Sequence, residues 1–347
     1  MSSETLGVGI IGAGPVTQAI HLPTLATLAD RLQVRHVVDV DAAVAASVAA
    51  RVGARSGTDV AALCADDGVD LVAICSPHRF HAEQIEAAIA AGKRGVLCEK
   101  PLATTAEEAR RIAEVTSTSG VPVVVGAMHT YDPAVRACLR EPAVRATSPH
   151  LVHVRTFLPA NSEMVNLSTD PVAGVLNRPT AASVGDAVEA SVAKLWGGVL
   201  GLATHDLPLV RTMLPVITEV TSAVTLDPFG YELAFRTADS AARMVALMPG
   251  EWQPDWTLDA WGPQYHLRMS FPPSYVLAGS TVTDLTTSAG RQTWQFPVNG
   301  YQAEWLHLAD VVTGRAELTQ PVTEAVDDLL YALQLADGAE KLIRAAA

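Results

Sequence analysis

The sequence predicts an α/β chain of two parts: a doubly wound parallel sheet, then a second region built on a mostly antiparallel sheet. Three observations carry this. Continuously apolar strands alternate with helical patterns through the first 130 residues. A glycine turn, Gly12-Ala13-Gly14-Pro15-Val16-Thr17, sits directly between the first strand and the first helix. From about residue 150 the texture changes to successive, partly alternating strands with few helical patterns between them.

In order, "LGVGIIGAG" reads as an apolar strand ending in glycines, and "VTQAIHLPTLATLADR" has helical spacing. "LQVRHVVDVD" is a second strand closing on acids, and "AAVAASVAARVG" is an alanine-rich helix stopped at Gly53. The strands "GVDLVAICSP", "GVLCEKP" and "VPVVVGAM" follow, separated by the helices "HAEQIEAAIAAG" and "TAEEARRIAEVTSTSG". Five such strands with right-handed crossovers make a doubly wound sheet, whose ligand crevice lies at the carboxyl ends of the strands. The second region offers "LVHVRTFL", "TEVTSAVTL", "YELAFRTA", "AARMVALM", "QYHLRMSF" and "RQTWQFPV" as strands. Residues 159–194 read as a long loop with short helical pieces, and "VTEAVDDLLYALQLADGAEKLIRAA" as a terminal helix.

Bulk properties narrow the function. The 347 residues, 49% of them hydrophobic, exceed one small core. A net charge of −13 repels phosphate backbones and anionic lipid, so nucleic acid and membranes are not expected partners. No apolar stretch approaches the roughly 20 residues of a membrane span, and the N-terminus lacks a signal peptide's basic region. The four cysteines, Cys64, Cys75, Cys98 and Cys138, show neither zinc-site nor CxxC spacing, which points to a reducing, cytoplasmic setting. His150 and His153 lie three apart on a strand pattern and suit a core or edge-strand role better than a metal site.

Gly12 permits the tight turn, and Gly14 lets the backbone, with Ala13, Pro15 and Val16, approach a pyrophosphate at the helix N-terminus. Thr17 stands where a third glycine is usual. Asp39, ending the second strand, can accept both ribose hydroxyls and repel a 2′-phosphate, which favours NAD over NADP. It could instead cap the following helix, a role open to Asp41. Glu99-Lys100-Pro101 ends the fourth strand. Only four lysines stand against twenty arginines, so Lys100 at this position suggests an ammonium aimed at a substrate hydroxyl or carbonyl, with Glu99 holding its charge.

The chain resembles the glucose-fructose oxidoreductase/inositol dehydrogenase (Gfo/Idh/MocA) family, through "GIIGAGPVTQAIHLPTL", "ICSPHRFHAEQIEAAIAAGKRGVLCEKPLATT" and "GAMHTYDPAVR". The resemblance implies a Rossmann domain over 1–130. It also implies an α/β domain with an open sheet over 131–347, whose C-terminal helix, 322–345, can pack back on the first. It further implies a homodimer or homotetramer with a small hydroxylated, sugar- or cyclitol-like substrate. Lys100 would contact that substrate and assist proton transfer, and Ser76, Pro77, His81 and Glu99 would line the cofactor crevice. His129, Trp196 and Thr204 would face the substrate, although His129 could instead cap the helix from Asp132.

The family's second motif places an aspartate four residues before a histidine. Here Gly197, Gly198 and His205 match, but position 201 is glycine, and Asp206 falls in another register. Three readings stay open: a dehydrogenase using Lys100 and His205, a redox-neutral epimerase or lyase that keeps its NAD, and a non-catalytic NAD-dependent regulator.

Overall fold

The computed structural model describes residues 5–172, 187–248 and 253–347. The chain divides into two compact units. The first comprises Met1–Gly126, Val165–Arg178 and Tyr301–Leu329, and the second comprises Ala127–Met164, Pro179–Gly300 and Leu330–Ala347.

In the first unit, β1 (Leu6–Ile11) leads through a π-helical turn (Thr17–His21) into α1 (Leu22–Thr27). There follow β2 (Leu32–Val38), α2 (Ala42–Val52), β3 (Arg55–Gly57), α3 (Val60–Cys64) and β4 (Leu71–Ile74). The sheet is completed by α4 (His81–Ala90), β5 (Gly95–Glu99), α5 (Ala106–Ser119) and β6 (Val123–Gly126). The six strands run parallel in the order β3-β2-β1-β4-β5-β6, reversing direction of growth between β1 and β4. Every residue of β1, β4 and β5 is buried, as strands covered on both faces require. Helix starts are written locally: Asp41 accepts from Ala43 N and Val44 N, and Thr105 with Glu108 forms a capping box. The short β3, flanked by turns, was not among the five strands expected.

The second unit opens with α6 (Pro133–Leu139), α7 (Pro142–Ala146) and β7 (Leu151–Phe157). Next come α8 (Asn161–Ser168), whose last residues pass into the first unit, α9 (Ala187–Gly201) and α10 (Leu207–Met213). The strands β8 (Glu219–Leu226), β9 (Phe229–Arg236), β10 (Ala241–Met248), β11 (Asp255–Trp261), β12 (Tyr265–Ser270), β13 (Val282–Thr287) and β14 (Gly290–Trp294) complete the sheet. Their order is β14-β13-β12-β11-β7-β10-β9-β8, parallel only at β7–β10. The fold is thus α/β with one parallel and one mostly antiparallel sheet. The chain ends with α11 (Gly300–Val312), mostly in the first unit, and α12 (Val322–Ala346), whose residues divide between the units at 329/330.

Two strands, β11 and β13, were not expected, because acids and threonines break their apolar patterns. α11 was also unforeseen. Of the loop expected over 159–194, residues 173–186 lie outside the described residues; the rest contains α8 and the start of α9. His153 lies on β7, an interior strand with neighbours on both sides, so the edge-strand option is excluded for it. Among the described residues no His, Cys, Asp and Glu cluster could hold a metal, and no helix is long and apolar enough to cross a membrane.

Candidate functional site

At the end of β1 the backbone of Gly12 takes φ +95°. A Cβ there would stand 2.7 Å from the Cys75 carbonyl oxygen, so only glycine lets the turn pass so close to the end of β4. Two residues on, the Cβ position of Gly14 has nothing within 4 Å. That open face is where a phosphate can meet the backbone ahead of Pro15, Val16 and the helical turn. Thr17 Oγ1 donates to Gly12 O at 2.5 Å, and Gln18 Nε2 donates to Ala13 O at 2.8 Å, pinning the turn from the helix side.

Asp39 is buried and ties the second strand to this turn. Its Oδ2 accepts from Ala13 N at 2.8 Å, and its Oδ1 accepts from Asp41 N at 3.0 Å. The helix-capping role left open for Asp39 belongs to Asp41. An open glycine turn, a helix start and a buried carboxylate at the next strand end fit a dinucleotide.

The ends of β4 and β5 form a second cluster. Ser76 Oγ donates to Gln84 Oε1 at 2.7 Å, and Pro77 precedes a 3₁₀ turn, His78–Phe80. His81 is fully enclosed, with Nδ1 2.8 Å from Pro101 O and Nε2 2.9 Å from Ser76 O. Burial pulls its pKa down, against those two carbonyls. His78 falls to about 4 through burial and the neighbouring Lys100 and His81. The His78 ring is therefore neutral near pH 7, whereas the two carbonyls facing the His81 nitrogens each call for an N–H donor.

Glu99 is buried, and His21 Nε2 donates to its Oε1 at 2.9 Å. The indole N–H of Trp305 points at His21 Nδ1 from 3.2 Å. Burial works to lower the His21 pKa, but Cys75 and the bond to Glu99 hold it well above the ordinary value. Burial opposes ionisation of Glu99, but the His21 bond and Lys100 hold its pKa below the ordinary value. Burial lowers the Lys100 pKa, and Glu99 works against that fall. Glu304, beside Trp305, is enclosed with no hydrogen-bond partner for either oxygen. Burial and the Glu99 charge push its pKa well up, so it holds its proton.

In the second unit, a 3₁₀ turn (Met128–Thr130) carries His129, and another (Ala203–His205) carries Thr204 and His205. Asp206 follows, with no exposed surface. Trp256 Nε1 donates to both its oxygens, at 2.9 and 3.1 Å, and Thr156 Oγ1 lies 3.4 Å from Oδ2. Burial raises its pKa to about 7, against those two donors. His129 Nε2 is 3.9 Å from Asp206 Oδ1. Its ring packs on Phe271 and Trp256, with centroids 3.9 and 4.7 Å away, and burial lowers its pKa to about 3. The His205 ring centroid is 6.3 Å from that of His129, and its Nδ1 is 3.2 Å from Met128 Sδ.

His129 does not cap the helix from Asp132, because Asp132 itself accepts from Ala134 N and Val135 N. Thr204 Oγ1 donates to Leu200 O, and Trp196 Nε1 donates to Glu340 Oε2 at 2.7 Å. The structure thus gathers His129, His205 and Asp206, whereas Trp196 bonds to α12. Of the two glycines opening the segment, Gly198 has a steric reason, since a Cβ would sit 2.7 Å from the Tyr231 ring. Gly201 has none, with nothing within 4 Å. Sequence reasoning passed over His21, Trp305, Glu304 and Trp256, and nothing in their local patterns marks them.

A doubly wound sheet with an open glycine turn after β1 and an acid after β2 is the arrangement that dinucleotide-binding folds share. Residues 6–127 match the profile of the Gfo/Idh/MocA oxidoreductase family, NAD-binding Rossmann fold. The chain is 43% identical over 133 residues to inositol 2-dehydrogenase 3 of Saccharopolyspora erythraea, a match covering 38% of this chain and 39% of that protein. It therefore spans well under half the length of this curated relative. Two solved structures share the fold across nearly the whole chain. A 3-ketoreductase from Actinomadura kijaniata in complex with NADP superposes with a TM-score of 0.72 at 17% identity, over 96% of this chain and 98% of the other. A putative myo-inositol dehydrogenase from Sinorhizobium meliloti gives 0.70 at 19%, over 97% and 98%.

Proposed function

We propose that the protein is an NAD(P)-dependent oxidoreductase, moving a hydride between nicotinamide and a carbinol or ketone of a small sugar- or cyclitol-like substrate. The observation that carries this is the presence, in one unit, of the open turn at Gly14 and of Lys100 at the carboxyl end of β5. Gly12, Ala13, Gly14, Pro15 and Val16 would receive the pyrophosphate, and Asp39 the adenosine ribose. Ser76, Pro77, His81 and Glu99 would line the nicotinamide end. The bound cofactor supplies the hydride acceptor or donor. The carboxylate of Asp39 favours NAD over NADP, because a 2′-phosphate would meet like charge.

Lys100 is assigned the reacting oxygen. Its lowered pKa makes the ammonium a readier proton donor, and Glu99, kept ionised by His21, retains the charge. His205 is assigned the relay of the proton, with Thr204, His129 and Trp196 toward the substrate. The protein would act as a homodimer or homotetramer in the cytoplasm. The glycine at 201 favours a second reading, in which NAD stays bound through a redox-neutral reaction or serves a regulator. Mixing the protein with NAD and a panel of polyols and cyclitols separates them: reduced-nicotinamide absorbance supports the dehydrogenase, and tight NAD binding without reduction defeats it.

A further inference from the structure

The family resemblance leaves the second unit without the carboxylate expected at position 201, and the open space around Gly201 shows that packing did not force the loss. A carboxylate nevertheless stands beside an imidazole in this unit. Asp206 is fully buried, and Trp256 clamps both of its oxygens from one side. Facing its Oδ1 at 3.9 Å is His129 Nε2, a ring nitrogen enclosed by protein with no hydrogen-bond partner. His129 is only 4% exposed, boxed by Phe271 and Trp256. Catalytic hydrogen bonds are often this long before a ligand binds and shorten in the complex.

We propose that His129 and Asp206 form the carboxylate–imidazole pair of this unit, with His129 as a further proton acceptor for a bound hydroxyl and Asp206 as its positioning residue. The proposal rests on the oxidoreductase reading and adds a proton acceptor to it. With the proton of the neutral ring on Nε2, facing Asp206, the ring's lone pair is on Nδ1. The hydroxyl O–H bond breaks, an Nδ1–H bond forms, and the electron pair stays on oxygen. Burial of His129 works against the imidazolium so produced, and the Asp206 carboxylate opposite it, held by Trp256, is the group that offsets that cost. Among the described residues, the charged and titratable groups around the pair are His205 on the same turn as Asp206 and the Tyr231 hydroxyl on β9, which feels the Asp206 charge.

The test begins with the unmodified chain, free of ligand, carrying ¹⁵N-labelled histidine, with His129 assigned by its loss in His129→Gln. At a pH well above the Asp206 value, couplings from ring protons should place the His129 proton on Nε2; a proton on Nδ1 overturns the pair. In Asp206→Asn the His129 ring resonances should shift more than those of His205, and an unchanged His129 spectrum overturns it equally. Should that variant not fold, the tautomer of the unmodified chain decides alone. Once a substrate is in hand, Asp206→Asn should lower kcat about a hundredfold or more, with the NAD KM unchanged and the rise of kcat with pH lost. An unaltered kcat and pH profile overturns the proposal. The resonance measurements need no turnover, so failure of the pair and failure of the oxidoreductase reading are told apart.

Discussion

Replacing Asp39 by alanine should weaken NAD binding by a margin the structure sets. The substitution removes the acceptor for Ala13 N, 2.8 Å from Oδ2 in a buried setting. A buried donor left unsatisfied costs about 1–3 kcal/mol, and a lost ribose bond to a charged acceptor costs about 1.5–3 kcal/mol. The two losses overlap, because a loosened glycine turn already binds less well, so about 3 kcal/mol in all is a fair expectation. At about 1.4 kcal/mol per tenfold, the NAD Kd should rise on the order of a hundredfold. NADP should lose less, because Asp39 repels its 2′-phosphate, so discrimination between the cofactors should shrink. Asp39→Asn keeps an acceptor for Ala13 N while removing the charge, and should shrink discrimination with a smaller loss of NAD affinity. Calorimetric titration of both cofactors into the three proteins checks this. Unchanged NAD affinity in Asp39→Ala, or unchanged discrimination in Asp39→Asn, would refute the ribose assignment.

Substitution Lys100→Ala should lower turnover by orders of magnitude with NAD affinity nearly intact, and an unaffected rate would remove Lys100 from the chemistry. Gly198→Ala places a methyl 2.7 Å from the Tyr231 ring and should cost about 1–3 kcal/mol in urea unfolding. Gly201→Ala meets nothing within 4 Å and should be neutral or stabilise the end of α9 by up to about 1 kcal/mol. Asp206 has its folded pKa raised from 3.8 to about 7, so the folded state binds its proton more tightly than the unfolded chain does. Its contribution is complete below 3.8 and is lost as pH rises through about 7. Stability of the unmodified protein relative to Asp206→Asn should therefore fall across that window, as urea unfolding at several pH values would show; a flat difference would contradict the burial argument.

The first sheet was legible because its strands are buried on both faces and its helix caps are local. Asp41, Thr105 and Gly53 announce themselves within a turn of the residues they cap. The second sheet was legible only where apolar residues cluster. β11 carries Asp255 and Asp259, and β13 carries Asp284 among threonines, so both read as loops until neighbouring strands supply the burial. That omission also hid the partner of Asp206, since Trp256 comes from β11. The four-residue spacing from 201 to 205 assumed one continuous helix. The chain instead leaves α9 at Gly201 and passes through a 3₁₀ turn, so the two positions do not share a helix face. The same turn sends Asp206 inward, where a straight-helix projection had set it aside. His21, Trp305 and Glu304 are joined over more than 200 residues of sequence, and no local pattern reports such a contact.

Hydride transfer can be followed directly with an isotope. The protein is incubated with NAD and polyols or cyclitols deuterated at the carbinol carbons, and the cofactor is recovered for mass spectrometry. Reduced nicotinamide carrying one deuterium at C4 should form with the unmodified protein and nearly disappear in Lys100→Ala. Cofactor that binds tightly yet returns oxidised and free of deuterium across the panel would contradict hydride transfer.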